Sequence, residues 1–122
     1  MSIKLPEVDP ARLEAEWQAD KDVLANLAAN GDKARVKRPV DVSFRGSEKD
    51  FERLLVVASQ FGFVELDREQ DEEGELYLFL ECEIPVDEAS IRALTKICVQ
   101  LETLFDLEYD GWGCEAVTGA VH

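Results

Sequence analysis

Leu76-Tyr77-Leu78-Phe79-Leu80-Glu81-Cys82-Glu83-Ile84 is the stretch on which the fold turns. Leu76, Leu78, Leu80, Cys82 and Ile84 alternate with Tyr77, Phe79, Glu81 and Glu83. Period two sends the first set to one face of a strand and the second set to the other. Pro85, which has no N–H to give a ladder, ends it. Upstream, Phe63 to Asp67 reads as a shorter strand, and Asp67-Arg68-Glu69-Gln70-Asp71-Glu72-Glu73-Gly74 reads as the turn joining the two into a hairpin. Downstream, Asp87 caps a helix whose apolar stripe is Ile91, Leu94, Ile97, Cys98, Leu101, Leu104 and Phe105.

Further out, Val40, Val42 and Phe44 alternate with Asp41, Ser43 and Arg45, giving a strand broken at Gly46-Ser47. Ser47, with Asp50 three positions on, resembles a capping box and opens a helix through Phe51, Leu54, Leu55, Ala58 and Phe61, closed by Gly62. At the beginning of the chain Asp9-Pro10 starts a helix carrying Leu13, Trp17, Leu24 and Leu27, and Asn30-Gly31 ends it. A final strand runs from about Leu107 to Val117. The order is one helix followed by β-α-β-β-α-β. The class is α+β, and the pattern is that of a ferredoxin-like sandwich with an extra N-terminal helix. The expected sheet order is 4-1-3-2, with strands 40–45 and 75–84 central and the last strand at an edge. One domain spans 1–122: the helix at about 10–29, a basic linker at 32–39 and the ferredoxin-like core at about 40–117.

Charge bounds the function. The chain has 122 residues, 46% apolar, with 13 basic and 27 acidic side chains and a net charge of −14. Its mean hydropathy is −0.20. Residues 62–122 hold three bases against sixteen acids, and between Glu65 and Glu88 the one base is Arg68. Such asymmetry repels phosphate and lipid headgroups and speeds encounter with cationic partners. Lys33, Arg35, Lys37 and Arg38 form the one basic cluster, expected to pair with the chain's own acidic face. No apolar run approaches the ~18 residues of a membrane span. The first ten residues lack the basic and apolar regions of a signal peptide.

Catalytic chemistry finds little to work with. His122, the one histidine, is the last residue of the chain and a poor place to hold a general base. No Gly-rich phosphate cradle is present. Cys82, Cys98 and Cys114 show no zinc-ligand or disulfide-scaffold spacing; Cys82 and Cys98 fall on apolar faces and read as core, while the side of Cys114 stays open. Asp67, Glu69, Asp71 and Glu73 alternate as if around calcium, yet a loop counted from Asp67 has Glu72 where Gly is needed and Leu78 where Glu is needed. The expectation is no catalytic, metal or cofactor site. Glu108-Tyr109-Asp110-Gly111-Trp112-Gly113-Cys114 allows two readings: a bulged edge strand whose Trp packs across a helix end, or an exposed aromatic anchor.

That last segment is where the chain resembles a family, the B-type regulators of ribonuclease E activity (RraB). The resemblance extends through Leu24-Ala25-Asn26-Leu27-Ala28-Ala29-Asn30-Gly31, Pro39-Val40-Asp41-Val42-Ser43-Phe44, Phe51, Phe61-Gly62-Phe63 and Pro85-Val86-Asp87. It implies a ferredoxin-like fold and a non-enzymatic cytoplasmic protein. It also implies binding to ribonuclease E, or a related RNA-degradation component with a basic surface, and slower RNA cleavage. The partner is then a protein, with neither nucleic acid nor membrane bound directly. Glu69, Asp71, Glu72 and Glu73 are expected to steer the encounter, and Tyr109, Asp110 and Trp112 to lie near the docking edge. The alternative is a small-ligand-binding or dimerising module, and the residues leave monomer and homodimer both open.

Overall fold

The caps expected from the sequence set three helices in place. Asp9 accepts the Ala11 N–H at 3.0 Å and opens α1 (Pro10–Ala29). Ser47 Oγ accepts the Asp50 N–H at 3.2 Å at the head of α2 (Glu48–Val57), which continues as a 3-10 turn over Ala58–Phe61. Asp87 accepts the Ser90 N–H at 2.7 Å and opens α3 (Glu88–Phe105). The computed structural model describes residues 3–118.

The strands are β1 (Arg38–Gly46), β2 (Val64–Gln70), β3 (Leu76–Ile84) and β4 (Glu108–Cys114). They form one antiparallel sheet in the order β2-β3-β1-β4, with β1 and β3 central. The architecture is mixed α/β, three helices and a four-stranded antiparallel sheet. Among the described residues no helix is long and apolar enough to cross a membrane.

One face of the sheet is packed. Val40, Val42, Phe44, Leu78 and Leu80 are fully buried against Phe51, Leu54, Ile91, Cys98 and Leu101 from the helices. Each such large side chain removed from water contributes about 1.5–3 kcal/mol. Helix α1 lies against α3, held by Leu13, by the Arg12 guanidinium on Glu102 at 2.8 Å and by Trp17 under the Arg92 guanidinium at 4.2 Å.

Three expectations need correction. The acidic stretch from Asp67 is not all turn: β2 runs on to Gln70, and the reversal is confined to residues 71–75, where Asp71 accepts the N–H groups of Glu73 and Glu75 at 2.9 Å each. An edge strand bathed in solvent on both faces needs no apolar alternation, because its ladder with β3 holds it. The last strand also stops at Cys114, short of the expected Val117.

The third correction falls in the basic linker, at Arg38. Arg38 does not reach for the acidic face; its side chain is 5% exposed and paired at 2.5 Å with Asp32, itself 2% exposed. Arg38 also donates to the carbonyls of Lys33 at 2.6 Å, Val36 at 3.1 Å and Glu115 at 3.2 Å, while Asp32 accepts the Val117 N–H at 2.7 Å. A buried pair of this kind closes the linker onto the segment after β4.

Candidate protein-docking face

Among the described residues, no helix covers the second face of the sheet. Asp41, Ser43, Arg45, Tyr77, Phe79 and Glu81 point there and are all half-buried. The register arranges them in tiers across the strands. Glu69, Tyr77, Arg45 and Glu108 form one; Asp67, Phe79, Ser43 and Gly111 the next; Val64, Glu81, Asp41 and Gly113 the third; Glu83 and Pro39 the last. Carboxylates thus rim two aromatic rings that sit side by side on β3, and β4 sets two glycines beside them with Asp110 at the groove edge.

Two open grooves mark this face. One, of about 270 Å³, is lined by Ser43, Glu69, Gln70, Asp71, Tyr77, Phe79 and Asp110. The other, of about 630 Å³, lies at the far end, where Asp41 and Glu81 meet Arg38, Pro39 and Cys114. Positive charge on the face is limited. Arg45 is bonded to Glu108 at 2.5 Å, which holds the guanidinium charged and draws the Glu108 carboxyl below its ordinary range. Arg68 is opposite Leu78, on the helix side, where Glu52 and Glu65 take it at 2.5 Å each.

A bulge decides where the aromatic residues of β4 go. Phe44 is opposite Tyr109 and Ser43 is opposite Gly111, so Asp110 is an extra residue on β4. In a regular strand, positions 109 and 112 fall on opposite faces; one inserted residue brings both to the same one. Tyr109 is 3% exposed, its ring 5.5 Å from that of Phe44. Its hydroxyl is buried beside the Thr95 and Cys98 side chains, and burial drives its pKa upward. Trp112 is half-buried, and its indole N–H donates to Asp20 at 2.8 Å. The reading of this segment as a bulged edge strand matches this geometry, and the exposed anchor does not. Tyr109 in particular has no ring surface for a partner to touch.

The residues singled out from the sequence therefore divide. Glu69, Asp71 and Asp110 come together around one groove. Glu72 and Glu73 stand exposed at the hairpin tip. Trp112 and Tyr109 brace the sheet from inside. Tyr77, Phe79, Asp41 and Glu81 were not singled out; their signal was the second set of alternating positions on β1 and β3, aromatic and acidic where the first set is aliphatic.

Burial disfavours the thiolate at each cysteine. Burial pushes the Cys82 thiol up to about 11, with Glu81 adding to it, and raises Cys98 further. Cys114, half-buried, is raised by the same cause. Among the described residues no three His, Cys, Asp or Glu side chains gather as a metal site. His122 lies outside the described residues.

Compared with known proteins, residues 17–114 match the family model described as Regulator of ribonuclease activity B, a span from the middle of α1 to the end of β4. No curated protein sequence matches the chain.

Proposed function

Because this chain belongs to the family of regulators of ribonuclease activity B, we propose that it is a non-enzymatic acidic regulator that binds ribonuclease E, or a related RNA-degradation component, and slows RNA cleavage. The observation that carries this reading is the distribution of charge. Acids rim the open sheet face and the hairpin tip, while Arg38, Arg45 and Arg68 are each tied to carboxylates of the chain itself. A surface of that sign attracts a basic protein segment and competes for the cations that would otherwise hold RNA. Its place of action is the cytoplasm. The sheet order, with β1 and β3 central and helices on one face, supports assignment to the ferredoxin-like class.

The test is binding to purified ribonuclease E at low and raised salt, with RNA cleavage followed in parallel. The complex is expected to weaken steeply as salt is added. Glu69→Lys, Glu72→Lys and Glu73→Lys together should slow association while leaving thermal stability unchanged; Asp71 is kept because it accepts the N–H groups that close the hairpin. Failure to bind the ribonuclease at low salt, with no effect on cleavage, would leave the dimerising or ligand-binding module as the better account.

A further inference from the structure

We propose that the open sheet face is a groove for an extended, arginine-bearing protein segment, with guanidinium groups lying over Tyr77 and Phe79 and between Asp41 and Glu81. This rests on the reading of the chain as a binder of basic protein, and adds where and how that partner is held.

Three features of the face point the same way. First, Asp41 and Glu81 are directly opposite each other on β1 and β3, and neither has an ion pair among the described residues. Like charges in register oppose the sheet they sit on; a cation between them removes the cost. Second, two neighbouring rings on a solvent-facing strand, rimmed by carboxylates, suit a planar cation. Guanidinium stacks on an aromatic face and offers a fork of N–H donors to a carboxylate, which an ammonium does not. The molecule already uses this contact on itself: Arg92 lies 4.2 Å over Trp17 and Arg53 lies 5.4 Å over Phe105. Third, the floor beside the rings is low on the β4 side. Gly111 and Gly113 are opposite Ser43 and Asp41, so an extended chain there meets the carboxylates of Asp110, at the groove edge, and Asp41, beside Gly113, both of them acceptors for a guanidinium.

The same observations weigh against other occupants. Sheets that present aromatic rings on an open face are a known platform for stacking RNA bases, but the phosphates then need surrounding cations. Here Asp41, Asp67, Glu69, Glu81, Glu83 and Glu108 face outward in register and Arg45 is already taken. A second copy would set this acidic face against its like, in a chain of net charge −14.

The experiment uses the whole protein and three probes at low salt: an arginine–serine repeat peptide, a lysine–serine peptide of equal length and charge, and an oligouridylate. The arginine peptide should bind about tenfold more tightly than the lysine peptide. In Tyr77→Ala/Phe79→Ala that preference should vanish while salt-dependent binding of both peptides remains. Gly113→Leu puts a side chain on this floor; a Cβ there meets Asp41 Oδ1 at 3.5 Å, an ordinary contact, and the variant, its folding checked by its thermal midpoint, should weaken both peptides. Glu81→Gln should raise the thermal midpoint and weaken arginine binding in the same molecule. Should the double variant not fold, Phe79→Leu gives the same readout. Equal binding of the two peptides, an arginine preference that survives loss of both rings, or tighter binding of the oligouridylate overturns the proposal. If the protein slows ribonuclease E and Gly113→Leu does so equally well, this groove is wrong and the regulatory reading stands. If the arginine preference holds but ribonuclease E is not bound, the groove stands and that reading falls.

Discussion

Trp112 on β4 and Asp20 on α1 are joined by an indole N–H···carboxylate hydrogen bond of 2.8 Å, and the other oxygen of the same carboxylate accepts Thr95 Oγ1 at 2.5 Å from α3. One buried acid, 6% exposed, thereby links three elements at the edge of the sheet. Hydrogen bonds to a charged group contribute about 1.5–3 kcal/mol each, and deleting the acceptor leaves a buried and a half-buried donor unmet. Asp20→Ala is expected to destabilise the fold by about 3 kcal/mol in urea denaturation, and Asp20→Asn by less, since an amide oxygen still serves one donor.

Gly111 is the residue on which the β4 bulge depends. Its φ of 110° lies in the left-handed region, so Gly111→Ala is strained by about 1–3 kcal/mol. Relief of that strain requires the bulge to open, which returns Trp112 toward solvent. The check is a red shift of tryptophan emission in a Trp17→Phe background. Gly113→Ala, at a position without positive φ, should leave both stability and emission unchanged.

The Asp32–Arg38 pair makes a pH-dependent contribution. Arg38, helped by the Val117 N–H, holds the Asp32 carboxyl below its ordinary value despite burial. Its folded pKa therefore lies under the unfolded value of ~3.9, so the stabilisation is complete above that pH and is lost as pH falls through the folded pKa. Urea midpoints measured from pH 7 downward should drop more for the native chain than for Asp32→Asn once pH passes below ~4. At pH 7 the same substitution leaves a buried guanidinium without its counter-charge and should cost about 3 kcal/mol.

Thiol labelling should follow burial. Cys114, half-buried, is expected to react first with a disulfide reagent at alkaline pH; Cys82 follows slowly, and Cys98 reacts only on unfolding. Rapid labelling of Cys98 in the native protein would contradict the packing of α3 on the sheet.

The sequence showed much of this frame because the signals involved are local. Asp9, Ser47 and Asp87 cap helices through contacts two or three residues away, and the alternation in 76–84 needs nothing beyond the strand itself. Three features were out of reach for reasons of distance. The extension of β2 to Gln70 depends on pairing with β3 rather than on its own composition. That Tyr109 and Trp112 share a face depends on one extra residue, which reverses the parity of everything after it. Arg38 is buried by carbonyls of Lys33, Val36 and Glu115, the last from the far end of the chain. The docking face was half legible: its residues could be separated by parity, but which face the helices would leave bare could not.

The opposition of Asp41 and Glu81 across the central strands gives electrolyte two contrary jobs. Dissolved ions damp the quarrel between these carboxylates and so firm up the empty molecule, while the same ions shield it from any cationic visitor. Melting point and partner affinity should accordingly move in opposite directions along one salt titration. A protein assayed only in concentrated buffer would look sturdier and less sociable than it is in dilute solution.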